Sequence, residues 1–198
     1  MRRLVLGYIH GIDAMNRLIG RIIMYGVFAM IGVLLWSSVS KTFFVPTLWT
    51  LEMAQFCMVA YYMLGGPYSI QLGSNVRMDL FYGAWSDTRR AWVDAMTVFF
   101  LIFYLVILLW GGISSTAYSL GYFSTDTLGF YSTLIGAFVT GGPEAAANEI
   151  GHIERSASAW RPFLWPVKVI MCIGIFLMLL QAVSELFKCV LIIRREGV

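Results

Sequence analysis

From Ile22 to Ser40 the chain runs without a single charged side chain, between Arg21 and Lys41. About 20 predominantly apolar residues, coiled as an α-helix, cross the ~30 Å hydrocarbon core of a bilayer. In lipid the backbone must satisfy its own hydrogen bonds, so such a run has few options besides a helix. Three more runs share this character. One extends from about 49 to 70 with Glu52 as its only charge, and one from about 92 to 116 with Asp94 in its first turn. The last covers 163–193 and is interrupted by Lys168, Glu185 and Lys188. The last helix would be on the order of 45 Å long, so it must tilt or project, with its end charges reaching outward. The expected class is an all-α integral membrane protein with four transmembrane helices, forming a single membrane domain over 1–198.

Composition agrees. Only 13% of residues are charged, 59% are hydrophobic and the mean hydropathy is +0.76, against roughly 25% charged residues in soluble domains. The 16% of aromatic residues suits a chain with two lipid–water interfaces to anchor.

Before the first run, Leu4, Tyr8, Ile9, Ile12, Met15 and Ile19 recur at helical spacing, with Arg2, Arg3, Asp13, Asn16 and Arg17 on other faces. Residues 4–19 therefore read as an interfacial amphipathic helix. The competing signal-peptide reading lacks an uninterrupted apolar core followed by a small-residue cleavage site. Between the second and third runs, Arg77, Asp79, Asp87, Arg89, Arg90 and Asp94 arrive together, interleaved with Leu80, Phe81, Trp85 and Trp92. This is a membrane-surface turn, with Ser86 placed to cap the next helix and Asp87 favourable to its dipole.

Four spans put both termini on one side with that turn. Ten Lys and Arg residues lie there, against four (Lys41, Arg155, Arg161, Lys168) on the other side. By the positive-inside bias both termini are cytoplasmic. The connection from about 117 to 161 is then external and long. Residues 128–142 are uncharged but short for a span, and read as an interfacial or re-entrant piece. A fifth span there would place Arg194 and Arg195 outside. Gly142-Pro143-Glu144 opens a short helix with Pro at its first position. Ser156 and Ser158 are candidate caps for the last helix, with Pro162 and Pro166 in its first turn.

Little in the chain points to catalysis. Cys57, Cys172 and Cys189 are isolated within apolar runs, where a thiol acts as a small hydrophobe. His10 and His152 lie outside the runs, which argues against haem ligation between spans. Asp79 and Asp87 have no nucleophile or further ligand nearby. No catalytic residue, cofactor, metal or nucleic acid is expected.

The stretch "TLEMAQFCMVAYYMLGGPYSIQLGSNVRMDLFYGAWSDTRRAWVDAM" resembles the DctQ-type small membrane subunit of TRAP (tripartite ATP-independent periplasmic) transporters. The matching residues are Glu52, Gly65, Gly66, Arg77 and Asp79, with Asn75 where the family often has His. The tail resembles a DctQ subgroup through Glu154, Ser156, Ser158, Trp160, Pro162, Trp165, Pro166, Lys168 and Gln181. The resemblance takes in the four runs but not 117–150, which look longer than the family's usual external loop. It implies a scaffold packed on the static part of a large permease subunit of the bacterial inner membrane. That permease would move substrate with sodium, and a periplasmic binding protein would deliver the substrate, commonly an organic acid. Candidate interface or structural residues are thus Glu52, Gly65, Gly66, Arg77, Asp79, Glu154, Ser156, Trp160, Pro162, Trp165, Lys168 and Gln181.

Glu52 and Lys168 both lie about one turn inside the external surface. Ionisable groups in lipid usually pair, so a Glu52–Lys168 pair is the favoured expectation, with pairing to a partner subunit or reach to water as alternatives. Gly65-Gly66 and Gly111-Gly112 either permit close helix approach or loosen helix ends. Two other classes stay open. A redox-enzyme membrane anchor would want histidines within the runs, and a stand-alone membrane enzyme would want converging polar groups at one depth.

Overall fold

The computed structural model describes residues 2–73 and 86–196. These form six helices: α1 (Arg2–Met24), α2 (Gly26–Phe43), α3 (Thr50–Leu72), α4 (Asp87–Ser119), α5 (Thr127–Glu149) and α6 (Trp165–Glu196). Among the described residues the only strand-like feature is one antiparallel bridge between Arg155 and Phe163. Arg77 and Asp79 lie outside the described residues, as do Leu80, Phe81 and Trp85.

Among the described residues three stretches are long and apolar enough to cross a membrane: Arg3–Phe43, Arg89–Ser119 and Trp165–Arg194. The expected second span, α3, has the length (23 residues) but not the apolarity. Glu52, Gln55 and Gln71 interrupt it, as do Tyr61, Tyr62 and Tyr68. The packing explains the difference. α3 packs against α6, α1 and α2, so much of its surface faces protein.

The amphipathic segment is longer than expected. α1 continues to Met24, and one residue, Tyr25, separates it from α2. Tyr25 stays right-handed (φ −74°, ψ −11°). The joined stretch of 41 residues would be about 60 Å long if straight, twice the hydrocarbon core, so it cannot all cross one bilayer upright. α1 instead packs on α3 and α6, burying Ile9, Asn16 and Gly20. A Cβ on Gly20 would stand 2.5 Å from Tyr68, so only glycine admits this approach.

The largest interface joins α4 to α6 around Leu105, Ile175 and Ala182, with Leu101, Ile102 and Met178 packed against them. α3 lies on the other side of α6, and α2 beyond α3. Among the described residues α2 makes no substantial contact with α4 or α6. The order α4–α6–α3–α2 is therefore a layer of helices rather than a bundle closed round an axis. Large apolar side chains stand exposed along it, including Phe28, Leu35 and Trp36 on α2 and Phe99, Phe103 and Ile107 on α4.

Within the layer, Pro67 has no N–H to give to the Met63 carbonyl one turn back. Gly174 of α6 lies directly against that oxygen, where a Cβ would come within 2.6 Å. Its Cα–H thus faces a carbonyl left open by the helix, a weak polar contact known at close helix pairs.

The long connection is mostly ordered as helix. α5 spans the stretch read as re-entrant and bends at Gly142, whose φ of 77° leaves the helical region. Pro143 opens the second piece, as its position predicts. Phe130 anchors α5 on Ala117 and Leu120, while Ile135, Phe138 and Val139 are exposed. The expected Ser156 and Ser158 caps are absent. Residues 155–163 form a small hairpin, and α6 starts at Trp165, so Pro162 precedes the helix and only Pro166 sits in its first turn.

Candidate functional site: two polar clusters at opposite ends of the helix layer

The first cluster gathers at the N-terminal ends of α3 and α6. Glu52 is 7% exposed and accepts a 2.8 Å hydrogen bond from Ser156 Oγ. Lys168 Nζ donates to Glu154 Oε2 at 2.8 Å and to the Ser115 carbonyl at 3.3 Å. Ser119 Oγ donates to the same Glu154 oxygen. The expected Glu52–Lys168 pair is therefore not formed. The physical reason is the hairpin: an extended strand places Glu154 and Ser156 on one side, so Glu154 takes the lysine while Ser156 takes Glu52. One carboxylate is charge-paired, and the other receives a neutral donor, with its Oε2 buried and without a hydrogen-bond partner.

Backbone bonds hold the hairpin in place. Glu154 N donates to Ser119 O, Leu164 N to Glu154 O and Ser156 N to Pro162 O. Gly151 N donates to Leu120 O, an approach that needs Gly121, because a Cβ there would lie 2.5 Å from the His152 nitrogen. The hydrogen bond from Lys168, with the Ser119 bond, holds the Glu154 carboxyl below its ordinary range. Arg155 stacks over Phe163 at 4.5 Å from the ring centroid. Beside the hairpin, Tyr118, Phe123, His152, Arg155 and Arg161 line an open cavity of about 530 Å³.

The second cluster lies at the other end. Gln181, fully buried, donates to Asp13 Oδ1 at 2.9 Å and to Glu185 Oε1 at 3.1 Å. It accepts from Asn16 Nδ2 at 2.7 Å. Lys188 bridges Asp13 Oδ2 (2.8 Å) and Glu185 Oε1 (2.7 Å), Ser184 donates to Asp13 Oδ1, and Gln71 donates to the Asp13 carbonyl. Both clusters draw on α3 and α6. Glu52 to Gln71 and Lys168 to Lys188 each correspond to about 30 Å of helix, the thickness of a hydrocarbon core.

Of the residues singled out by sequence, Glu52, Glu154, Ser156 and Lys168 converge, and Gln181 becomes the hub of the second cluster. Pro162 contributes its carbonyl to the hairpin, while Trp160 and Trp165 stand about two-fifths exposed at its edge. The glycines divide. Gly66 faces Met178 and Gly112 faces Cys172 closely, Gly65 meets Ile23 at ordinary contact distance, and Gly111 faces open space.

Sequence reasoning did not join Asp13 and Asn16 to Gln181, Glu185 and Lys188. The polar positions of α1 read as a solvated face, whereas the stripe Ile9–Asp13–Asn16–Gly20 is the one that packs. The available signal was the pairing of two polar stripes, since Gln181, Ser184, Glu185 and Lys188 also recur at helical spacing. Among the described residues no three His, Cys, Asp or Glu side chains converge as metal ligands.

Against this geometry, the profile of the family described as "Tripartite ATP-independent periplasmic transporters, DctQ component" matches residues 30–147. The match takes in 117–147, which the motif resemblance left out, and ends before the Glu154–Gln181 tail. No curated protein and no solved structure matches the chain.

Proposed function

The chain belongs to the DctQ family, the DctQ component of tripartite ATP-independent periplasmic transporters, and from that premise we propose that it is the scaffold of a sodium-coupled transporter for an organic acid or similar small solute. The family is a transporter component and not an enzyme; it works with a large permease subunit and a periplasmic substrate-binding protein. In this reading the chain sits in the bacterial inner membrane as four spans, α2, α3, α4 and α6, with both termini cytoplasmic and α5 outside. α1 lies at the inner interface.

The observation that carries the scaffold role is the open layer. A layer of four helices has two broad faces, and this one leaves large apolar side chains exposed on its outer members. Lipid can cover one face and a permease the other. Arg77 and Asp79 would tie the cytoplasmic turn to the static part of that permease. The exposed charges of the hairpin and α5 face the compartment where a binding protein docks.

Co-expression with the large subunit tests this reading. The two should purify as one complex of equal subunits, and the chain alone should be poorly extracted. A well-behaved monomer without affinity for the permease would refute it.

A further inference from the structure

At the inner end of the layer, α1, α3 and α6 enclose an open cavity of about 430 Å³ lined by Asp13, Arg17, Arg21, Tyr68, Gln71 and Lys188. Lys188 is already bound to Asp13 and Glu185. Arg17 and Arg21, one helical turn apart on α1, have no carboxylate partner among the described residues. The lining thus carries three cationic side chains, Arg17, Arg21 and Lys188, against one carboxylate, Asp13, which Lys188 already holds. Gln71 brings a side-chain oxygen that is buried and has no donor.

The flanking residues are apolar. Leu18 and Ile22 follow the two arginines on the adjacent stripe of α1 and are each 62% exposed, and Leu72 completes the cavity wall at 60% exposed. A basic stripe beside an apolar stripe, at the depth where α3 ends, has the chemistry of a phosphate above an acyl chain. Basic pockets between membrane helices take anionic headgroups for this reason. Guanidinium pairs suit phosphate because each can donate two parallel bonds.

We propose that this cavity binds the phosphodiester of an anionic glycerophospholipid, with Arg17 and Arg21 holding the phosphate. A glycerol hydroxyl of the headgroup donates to Gln71 Oε1, and one acyl chain runs along Leu72, Leu18 and Ile22. The site rests on placing the end of α3 at a lipid interface, part of the reading above. It does not require the scaffold role or a choice of leaflet.

The test reconstitutes the full chain in nanodiscs made of equal parts phosphatidylglycerol and phosphatidylcholine, then releases it for native mass spectrometry. Retained phosphatidylglycerol is expected over phosphatidylcholine. Arg17→Gln with Arg21→Gln should lower that retention roughly 25-fold, from the loss of two charges near the surface. Arg194→Gln, an exposed charge outside the cavity, should leave it unchanged, and Arg17→Lys with Arg21→Lys should recover part of it. Equal retention by the Gln variant, or an equal loss in Arg194→Gln, would overturn the site. Inorganic phosphate displacing the lipid completely at millimolar level would show an ion site instead. Because the readout is lipid on this chain alone, failure of the scaffold reading leaves it standing.

Discussion

Lys168 and Glu154 form a pair whose side chains are 20% and 33% exposed, so water screens it and about 1 kcal/mol is a fair ceiling. That energy is spent on fixing the hairpin to α4 and α6. Replacing Lys168 with Met should raise the mobility of a nitroxide at Ala157→Cys, in a chain whose native cysteines are Ala, by shifting the docked fraction about fivefold. The pH dependence has a definite sign. Glu154 titrates below its ordinary value of 4.5 in the folded chain. Its contribution is therefore complete above about 4.5 and is lost as pH falls through the lowered value. The spin label should report a docked hairpin at pH 5 and loosening only in stronger acid; loosening already near neutrality would show that another group governs it. Gln181 is the second sensitive position. Interhelical hydrogen bonds in membranes average ~0.6 kcal/mol and reach ~1.7, and Gln181 makes two, with Asp13 and Asn16 of α1, beside one to Glu185 on its own helix. Gln181→Leu should cost about 1.5 kcal/mol in detergent-unfolding measurements. Asn16→Leu should be less harmful in the Gln181→Leu background than in the native one. Strict additivity would mean that Asn16 and Gln181 do not communicate. The partners of Glu52 and Lys168 could not be read from the chain, because both carboxylates, Glu52 and Glu154, are plausible for the lysine until the hairpin sets their register.

Helices were the most readable part of the chain, because lipid leaves a long apolar run few alternatives. Glycine pairs were less readable. Gly65-Gly66 and Gly111-Gly112 look equivalent as text, yet Gly111 faces open space while the unpaired Gly174 lies against the Met63 backbone. What distinguishes them is the opposite helix, which spacing within one helix cannot report. Pro67 was the hint, since it marks where a carbonyl is released. Gly174→Ala should separate α3 from α6 at a cost of about 1–3 kcal/mol, as overpacking usually does. Gly111→Ala should be neutral or raise stability by up to about 1 kcal/mol through helix propensity. Thermal unfolding of the two variants in one detergent compares them directly; equal melting temperatures would dismiss the close approach. The polar side of α1 misled for a related reason. Asp13 and Asn16 look solvated in a lone amphipathic helix, and only the matching polar stripe on α6 turns that side inward.

For the molecule as a whole, side-of-membrane reporters fused after Gly142 and at Val198 should read opposite compartments. The ten-to-four asymmetry of Lys and Arg sets that expectation. Agreement between the two fusions would break the topology. Removing 128–150 should leave assembly intact but raise the binding-protein concentration needed for half-maximal uptake, most visibly at low salt, where exposed charges act over longer distances. An unchanged requirement would assign α5 to covering the permease. The layered arrangement itself was not readable. Four apolar runs are equally compatible with a closed bundle, and only the packing of α3 between α6 and α2 decides between them.

Glu52 and Lys168 near one end and Gln71 and Lys188 near the other are rigidly spaced, because α3 and α6 lock together at Gly174. With α3 and α6 both crossing the bilayer, as proposed above, the protein would carry a built-in gauge for the membrane around it. A bilayer thicker than the roughly 30 Å between the two polar bands would draw charged groups into oil, and a thinner one would wet apolar side chains, at fractions of a kcal/mol per Å of mismatch. Uptake by proteoliposomes made from lipids of graded chain length should peak at one thickness and fall on both sides, and a population of these transporters should drift toward membrane regions of matching depth.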